Sequence, residues 1–426
     1  MTLTWPQIFR LGLVQMALGA IVVLMTSTLN RLMVVELALP AVIPGLLVAL
    51  HYGVQMSRPK WGHASDTGGQ RTRWIIGGMV ALGAGALAAT IGLMVLEASF
   101  VWGMILSIGA YAMIGMGVGA SGTSLLALLA TTTAPHRRAA AATITWLMMI
   151  FGIAMTAGVV GTLIDPYTPL RLIEIVAAVV LIAIGVTTLA VWGIERGLKV
   201  SREPDPTPFR AGLAEVWGEP KARNFTLFVF LAMTAYFMQE LILEPYAGLV
   251  FGLTPGQTTS LSGAQNSGVF IGMLTVGIMA TGLKIGALRN WVMAGCLGSA
   301  GALAIITLLG PVGPGAPVLP AVVTLGFFNG MFAVAAIGSM MALAGQGRER
   351  REGTRMGLWG AAQAIAAGFG GLLGAGMADL LRLNLTDTQA FGAVFLFEAC
   401  LFIAAAVVAA KIMDRKMPSA TLVPGE

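Results

Sequence analysis

The sequence predicts an all-α membrane protein of about twelve transmembrane helices, arranged as two pseudo-symmetric six-helix halves. Apolar residues fill 57% of the 426 positions and charged residues only 10%, whereas a soluble domain carries roughly 25% charge. The apolar residues fall in runs of about 20, the length that crosses a hydrocarbon core. The basic residues gather between these runs, almost all on one side.

Helix cores are expected at 11–30, 40–57, 74–96, 100–130, 140–164 and 171–193, then at 225–246, 260–282, 288–309, 317–345, 355–380 and 389–412. The halves are therefore 1–193 and 225–426, the second ending in a short basic tail. Between them, 194–224 is the one long polar stretch, and its Pro-Asp-Pro-Thr-Pro run reads as an extended cytoplasmic linker. The chain opens with a short polar segment through Arg10 and no small-residue cleavage site, so the first helix is expected to be retained.

With the N-terminus inside, loops after even-numbered helices should be rich in Lys and Arg. Of 25 basic residues, all but Arg31, Arg171 and Arg382 fall on that side. This predicts both termini in the cytoplasm. The net charge of +6 follows membrane topology, and no aromatic-interleaved basic patch points to nucleic acid. Two isolated cysteines, Cys296 and Cys400, make neither a disulfide framework nor a metal site and read as core packing.

A shift of 213 residues aligns Arg137-Arg138 with Arg350-Arg351 and Trp146 with Trp359. It also aligns Gly117, Gly158 and Gly161 with Gly330, Gly371 and Gly374. That is the mark of an internal duplication. The glycine-rich stretches 115–122 and 368–376 suit close helix packing, as small residues do in membranes.

The loop after the second helix, WGHASDTGGQRTR, carries Gly62, Asp66, Gly69, Arg71 and Arg73 just after Arg58. It resembles the signature of the major facilitator fold. There it implies a cytoplasmic latch, with the carboxylate meeting a helix N-terminus or an arginine. The second-half counterpart, TGLKIGALRN, lacks the Asp. The fourth and tenth helices are uncharged and the fifth lacks a Gly-Pro pair, which argues against the familiar proton-driven antiporters.

The unusual polar groups lie late in the first and seventh helices. Asn30, Arg31 and Glu36 end the first, and Gln239, Glu240, Glu244 and Tyr246 end the seventh. A charge at bilayer depth costs on the order of 2.5–3.5 kcal/mol, less near the interface. One reading pairs Arg31 with Glu240 or Glu244 to close the periplasmic mouth; the other leaves all of them facing headgroups and water. His51, in the second helix, is either a polar residue facing a neighbouring helix or a neutral imidazole suited to be the axial ligand of a pigment magnesium. Most of the 25 Met residues read as packing filler, with some adapting cavities to a large apolar ligand.

The blocks LNRLMVVELALPA, ALHYGVQMSRPKWGHASD and QELILEPYAGLVFGL resemble the PucC/LhaA family, the bacteriochlorophyll-delivery branch of the major facilitators. Asn30, Arg31, Glu36, His51, Arg58, Gly62, Asp66, Glu244, Pro245 and Tyr246 match that family, whereas Gln239-Glu240 stands where Gln-Asp is expected. The resemblance implies a light-harvesting complex assembly factor in the photosynthetic membrane. Bacteriochlorophyll would be bound cargo rather than a resident cofactor, and antenna polypeptides would be partners. A secondary transporter of a small solute and a non-transporting scaffold for antenna subunits remain alternatives. No nucleophile–base pair, metal-spaced cluster or nucleotide motif suggests an enzyme.

Overall fold

The computed structural model describes residues 3–58, 61, 70–134, 137–195, 217–283, 285–344 and 352–413. Among the described residues, twelve helices run in order. The first six are α1 (Trp5–Val23, continued by π turns at Leu24–Leu29 and Leu32–Glu36), α2 (Val42–Gln55), α3 (Arg71–Ala98), α4 (Phe100–Thr132), α5 (Arg138–Leu163) and α6 (Pro169–Val191). The second six are α7 (Pro220–Phe251), α8 (Pro255–Val276, ending in a π turn at Gly277–Gly282), α9 (Leu288–Leu309), α10 (Val318–Ala344), α11 (Glu352–Arg382) and α12 (Asp387–Ile412). Ten of these segments are long and apolar enough to cross a membrane. The other two are α2, which is short, and α8, which opens with hydroxyl and amide residues. The chain is a multi-pass membrane protein.

Three helices outrun their sequence-predicted cores. The added stretches of α1 and α8 carry polar residues that hydropathy passes over, whereas that of α7 follows a proline. In α1 the helix continues from 30 to Glu36 through wide turns that carry Asn30 and Arg31; such π segments recur at functional positions. In α7 the helix runs on through Pro245 to Phe251, although that ring removes the bond to the Leu241 carbonyl and kinks helices. In α8 the helix begins at Pro255, behind a capping box in which Thr254 and Gln257 exchange bonds of 2.9 and 3.2 Å.

The helices form two compact units, and α7 and α8 contribute to both. The first unit holds α1–α6 with Leu243–Gly263; the second holds the earlier part of α7, the later part of α8 and α9–α12. In the first, α3 and α4 pack antiparallel through glycines. A methyl group added at Gly78 would overlap the Ser121 amide nitrogen and the Gly117 carbonyl, and one at Gly85 would meet Ala110 and Ile114. Gly115 and Gly119 of α4 seat α2 and Trp61 in the same way.

The second unit repeats these partnerships, with Gly326 and Gly330 of α10 against α8 and Gly295 of α9 against α10. The glycine matches of the 213-residue shift are not equivalent in packing, however. Gly117 faces α3 whereas Gly330 faces α8, and Gly161 faces α8 whereas Gly374 faces α7. The glycines at these matched positions therefore serve different neighbours in the two units. Cys296 is buried as expected, but Cys400 is exposed, because it falls on the outer stripe of α12 with Leu396 and Ile403.

Several sequence-predicted features lie outside the described residues: most of the linker 194–224, Gly62, Asp66 and Gly69 of the latch, Arg348, Arg350 and Arg351, and the basic tail.

Gly117→Val should lower stability by about 1–3 kcal/mol, because backbone lies on the far side of that contact. Gly109→Ala, with open space at its Cβ, should be neutral or slightly stabilising. Thermal denaturation in detergent separates the two.

Candidate functional site

The polar residues late in α1 meet Leu243–Gly263 of α7 and α8 within the first unit. Arg31 is 3% exposed, which obliges the fold to answer its charge. Its Nη1 pairs with the Glu36 carboxylate, five residues on, and its Nη2 donates to the Leu253 carbonyl at 3.0 Å. The π turn between them brings Glu36 back onto Arg31. Gly248 supplies the room, since a Cβ there would stand 3.3 Å from the guanidinium.

The pairing of Arg31 with Glu240 or Glu244 is therefore not what the structure shows. Glu36 is 43% exposed at its side chain and keeps part of its hydration, so it is the less costly anion to recruit. Glu244 instead accepts a hydrogen bond from the Ser27 hydroxyl. Thr258, Ser262 and the Arg31 charge also act on it. At the next residue of α1, the Thr28 hydroxyl meets that of Thr259 at 3.2 Å. Asn30 and Tyr246 are fully buried in the same region, the Tyr246 ring standing edge-on to Phe251 at 5.2 Å.

A second tie closes the same end. Asp165, after α5, accepts from the Thr254 hydroxyl and, at 3.1 Å, from the Gly256 amide. That places a carboxylate at the positive N-terminus of α8. Gly161 and Gly256 permit the approach, because a Cβ on either would strike the other helix. Tyr167, in the adjoining loop, lies close enough to Glu97, Glu36 and Arg31 to feel their charge; burial and the two carboxylates push its hydroxyl up, against the pull of Arg31. The whole is a clasp joining α1, α5, α7 and α8.

The remaining candidates lie elsewhere. Gln239 is buried and Glu240 half-buried beside Tyr236, on the part of α7 that belongs to the second unit. His51 is 3% exposed in α2. Its Nε2 is 2.8 Å from Gln55 Nε2, and Gln55 accepts from Arg58 through its oxygen. A pigment magnesium needs an open imidazole nitrogen with space for a macrocycle above it. The His51 Nε2 is engaged, and the α4 backbone at Gly115 closes on the turn that carries it. The buried Nδ1 has no hydrogen-bond partner, so the imidazole is engaged on one side only, at the start of a polar row along α2.

In the latch, the carboxylate that caps α3 is Glu195, from just beyond α6. Its two oxygens accept from the Arg71 and Thr72 amides at 3.0 Å each. The Arg71 side chain reaches the Ala127 carbonyl at 3.0 Å and the Thr131 hydroxyl near the C-terminus of α4, and Arg73 is exposed. Sequence reading missed Glu195, Ser27, Thr28, Asp165 and Thr259. A signal existed for two of them, since Thr26-Ser27-Thr28 is a hydroxyl run inside an otherwise apolar span.

Comparison with known proteins fixes the class. The D-xylose-proton symporter structure superposes with a TM-score of 0.75 at 13% identity, covering 96% of this chain and 98% of the other. The peptide transporter POT in complex with sulfate superposes with a TM-score of 0.70 at 16% identity, covering 95% and 94%. At such identities the likeness is one of fold, and the fold is that of the major facilitators.

A family model described as PUCC protein matches residues 28–417. The chain is 66% identical over 415 residues to the bacteriochlorophyll synthase 44.5 kDa chain of Rhodobacter capsulatus, covering 97% of this chain and 96% of that one. It is 29% identical over 416 residues to protein PucC of Cereibacter sphaeroides, covering 92% and 89%. The chain belongs to the PucC family.

The clasp is testable without a ligand. In a Cys296→Ser, Cys400→Ser background, Thr28→Cys with Thr259→Cys should form a disulfide on mild oxidation, given their spacing. With a protease site placed in 196–216, the two fragments should then stay joined on a non-reducing gel; separation would rule the contact out. Arg31→Met should weaken the clasp by about 2 kcal/mol and reduce that cross-link. Glu195→Ala should cost about 1 kcal/mol through the lost cap of α3, read as a lower melting temperature.

Proposed function

We propose that this protein is a light-harvesting complex assembly factor of the bacterial photosynthetic inner membrane that binds bacteriochlorophyll or delivers it to antenna apoproteins. The observation that carries the reading is the 66% identity, nearly end to end, to a protein whose name ties it to bacteriochlorophyll. The absence of charge along α4 and α10 supports it, because an amphiphilic macrocycle with a long tail enters sideways from lipid and needs no strongly charged channel. Both termini are proposed to lie in the cytoplasm, on the distribution of basic residues. The clasp then closes the periplasmic end.

The relative's name contains the word synthase. For this chain we propose a binding and handling role without bond-making chemistry. The groups gathered at the clasp are a paired arginine, carboxylates and hydroxyls, which serve there to tie helices together. The likeness in fold to a symporter and a peptide transporter favours one second reading, the movement of a small solute by alternating access.

Gentle detergent purification from a pigmented host, followed by an absorption spectrum, distinguishes these. Bacteriochlorophyll should co-elute with the wild-type protein and should persist in His51→Ala, since that imidazole is engaged with Gln55. Pigment-free protein that retains antenna polypeptides would replace delivery with scaffolding. Pigment-free protein without antenna polypeptides, active in solute exchange in vesicles, would establish the transporter instead.

A further inference from the structure

The second unit contains a carboxylate that the clasp does not use. Glu398 lies midway along α12, fully buried, and neither of its oxygens has a hydrogen-bond partner. Two more buried polar side chains stand at a similar depth. The Ser299 hydroxyl of α9 donates to the Asn329 amide oxygen of α10 at 2.7 Å, and the Asn329 Nδ2 has no partner. All three residues have zero exposure.

Helix geometry brings them to one level. Phe332 of α10 and Phe402 of α12 pack edge to face at 6.2 Å. These two helices are parallel, because α9 runs antiparallel to both: Gly295 meets Phe332, Thr307 bonds the Gly392 carbonyl and Arg289 bonds the Ala410 carbonyl. One turn back from the aromatic contact on each helix are Asn329 and Glu398. Counting along α9 from the Thr307–Gly392 bond sets Ser299 opposite Cys400, a fraction of a turn from Glu398.

Among the described residues, no basic residue shares that level. On α9, Arg289 is at the far end on the Ala410 carbonyl, and Cys296 is a thiol. The α10 segment has no titratable residue. On α11, Glu352 and Arg355 lie in the first turns and Asp379 with Arg382 at the end. On α12, Asp387 pairs with Arg382, Lys411 is in the last turn and Cys400 faces outward. On α7, Lys221 and Arg223 belong to the first turn, and Tyr236 and Glu240 bring no positive charge.

An isolated carboxylate in such surroundings is strongly unfavourable, so the site must take up a compensating positive charge. A hard metal cation seeks six or more oxygen ligands, and this level offers fewer. A proton needs only the carboxylate. The neutral acid accepts a hydrogen bond, for which Asn329 Nδ2 is the idle donor.

We propose that Glu398, flanked by Asn329 and Ser299, is an intramembrane proton-binding site of the second unit. The carboxylate takes a proton from water when the helices part around it and returns it on the next opening; no bond between heavy atoms changes. Movement of α12 against α9 and α10 is thereby linked to proton uptake, whatever cargo the protein handles.

Infrared spectroscopy of the full chain in nanodiscs tests this directly. At pH 8, the wild-type minus Glu398→Gln difference spectrum should contain the carbonyl stretch of a protonated carboxylic acid. That band should be unchanged when choline chloride is replaced by sodium chloride. Only ionised-carboxylate bands, or loss of the acid band with sodium, would overturn the proposal. Should Glu398→Gln fail to fold, Asn329→Leu provides an independent readout: it should shift the frequency of one protonated carbonyl, and an unmoved spectrum would overturn the site.

Discussion

A guanidinium withdrawn from water is the constraint on which this end of the molecule depends. Arg31 is almost fully buried near the end of a membrane helix, and ordinary α-helical spacing would leave it facing apolar neighbours. The chain answers locally, by widening two turns of α1 so that Glu36 folds back, and remotely, by offering the Leu253 carbonyl just past the end of α7. Once that carbonyl is fixed, the connection into α8 is fixed too. The Thr254 cap, the Asp165 tie and the threonine pair then fall into place around it. Glycines at 161, 248 and 256 are what make these approaches sterically feasible.

The architecture was legible because the physics of lipid is blunt. Runs of about 20 apolar residues have few alternatives to crossing, and all twelve helices lie where hydropathy sets them. Their ends were harder. The extensions of α1 and α8 are held by side-chain bonds to residues far away in sequence, Arg31 to Leu253 and Asp165 to Gly256, and a hydropathy window cannot see a partner 222 or 91 positions off. Arg31, Glu36 and Glu244 were recognisable as misplaced polarity in an oily segment. Their actual pairing was not, because the choice between Glu36 and Glu244 depends on how a π turn redirects a side chain.

Glu195 makes the same point at the other end. A loop with an aspartate and two glycines suggests that its own carboxylate meets the following helix. The described carboxylate that holds the first amides of α3 comes from 124 positions along the chain. Two groups of equal chemistry can serve one helix terminus, and only folding decides which arrives.

The sharing of α7 between units has a consequence for how the polypeptide can be divided. Leu243–Gly263 belong structurally with α1–α6 yet follow the connecting segment in sequence. A gene cut within 196–216 would leave the first product without Leu243–Gly263 of its own unit, while the second would carry that segment beside all the described residues of the second unit. The first would lack the counterparts of Ser27, Thr28 and Asp165; the second would carry those counterparts with nothing to receive them. Synthesis of the seventh and eighth helices is thus what completes the first six.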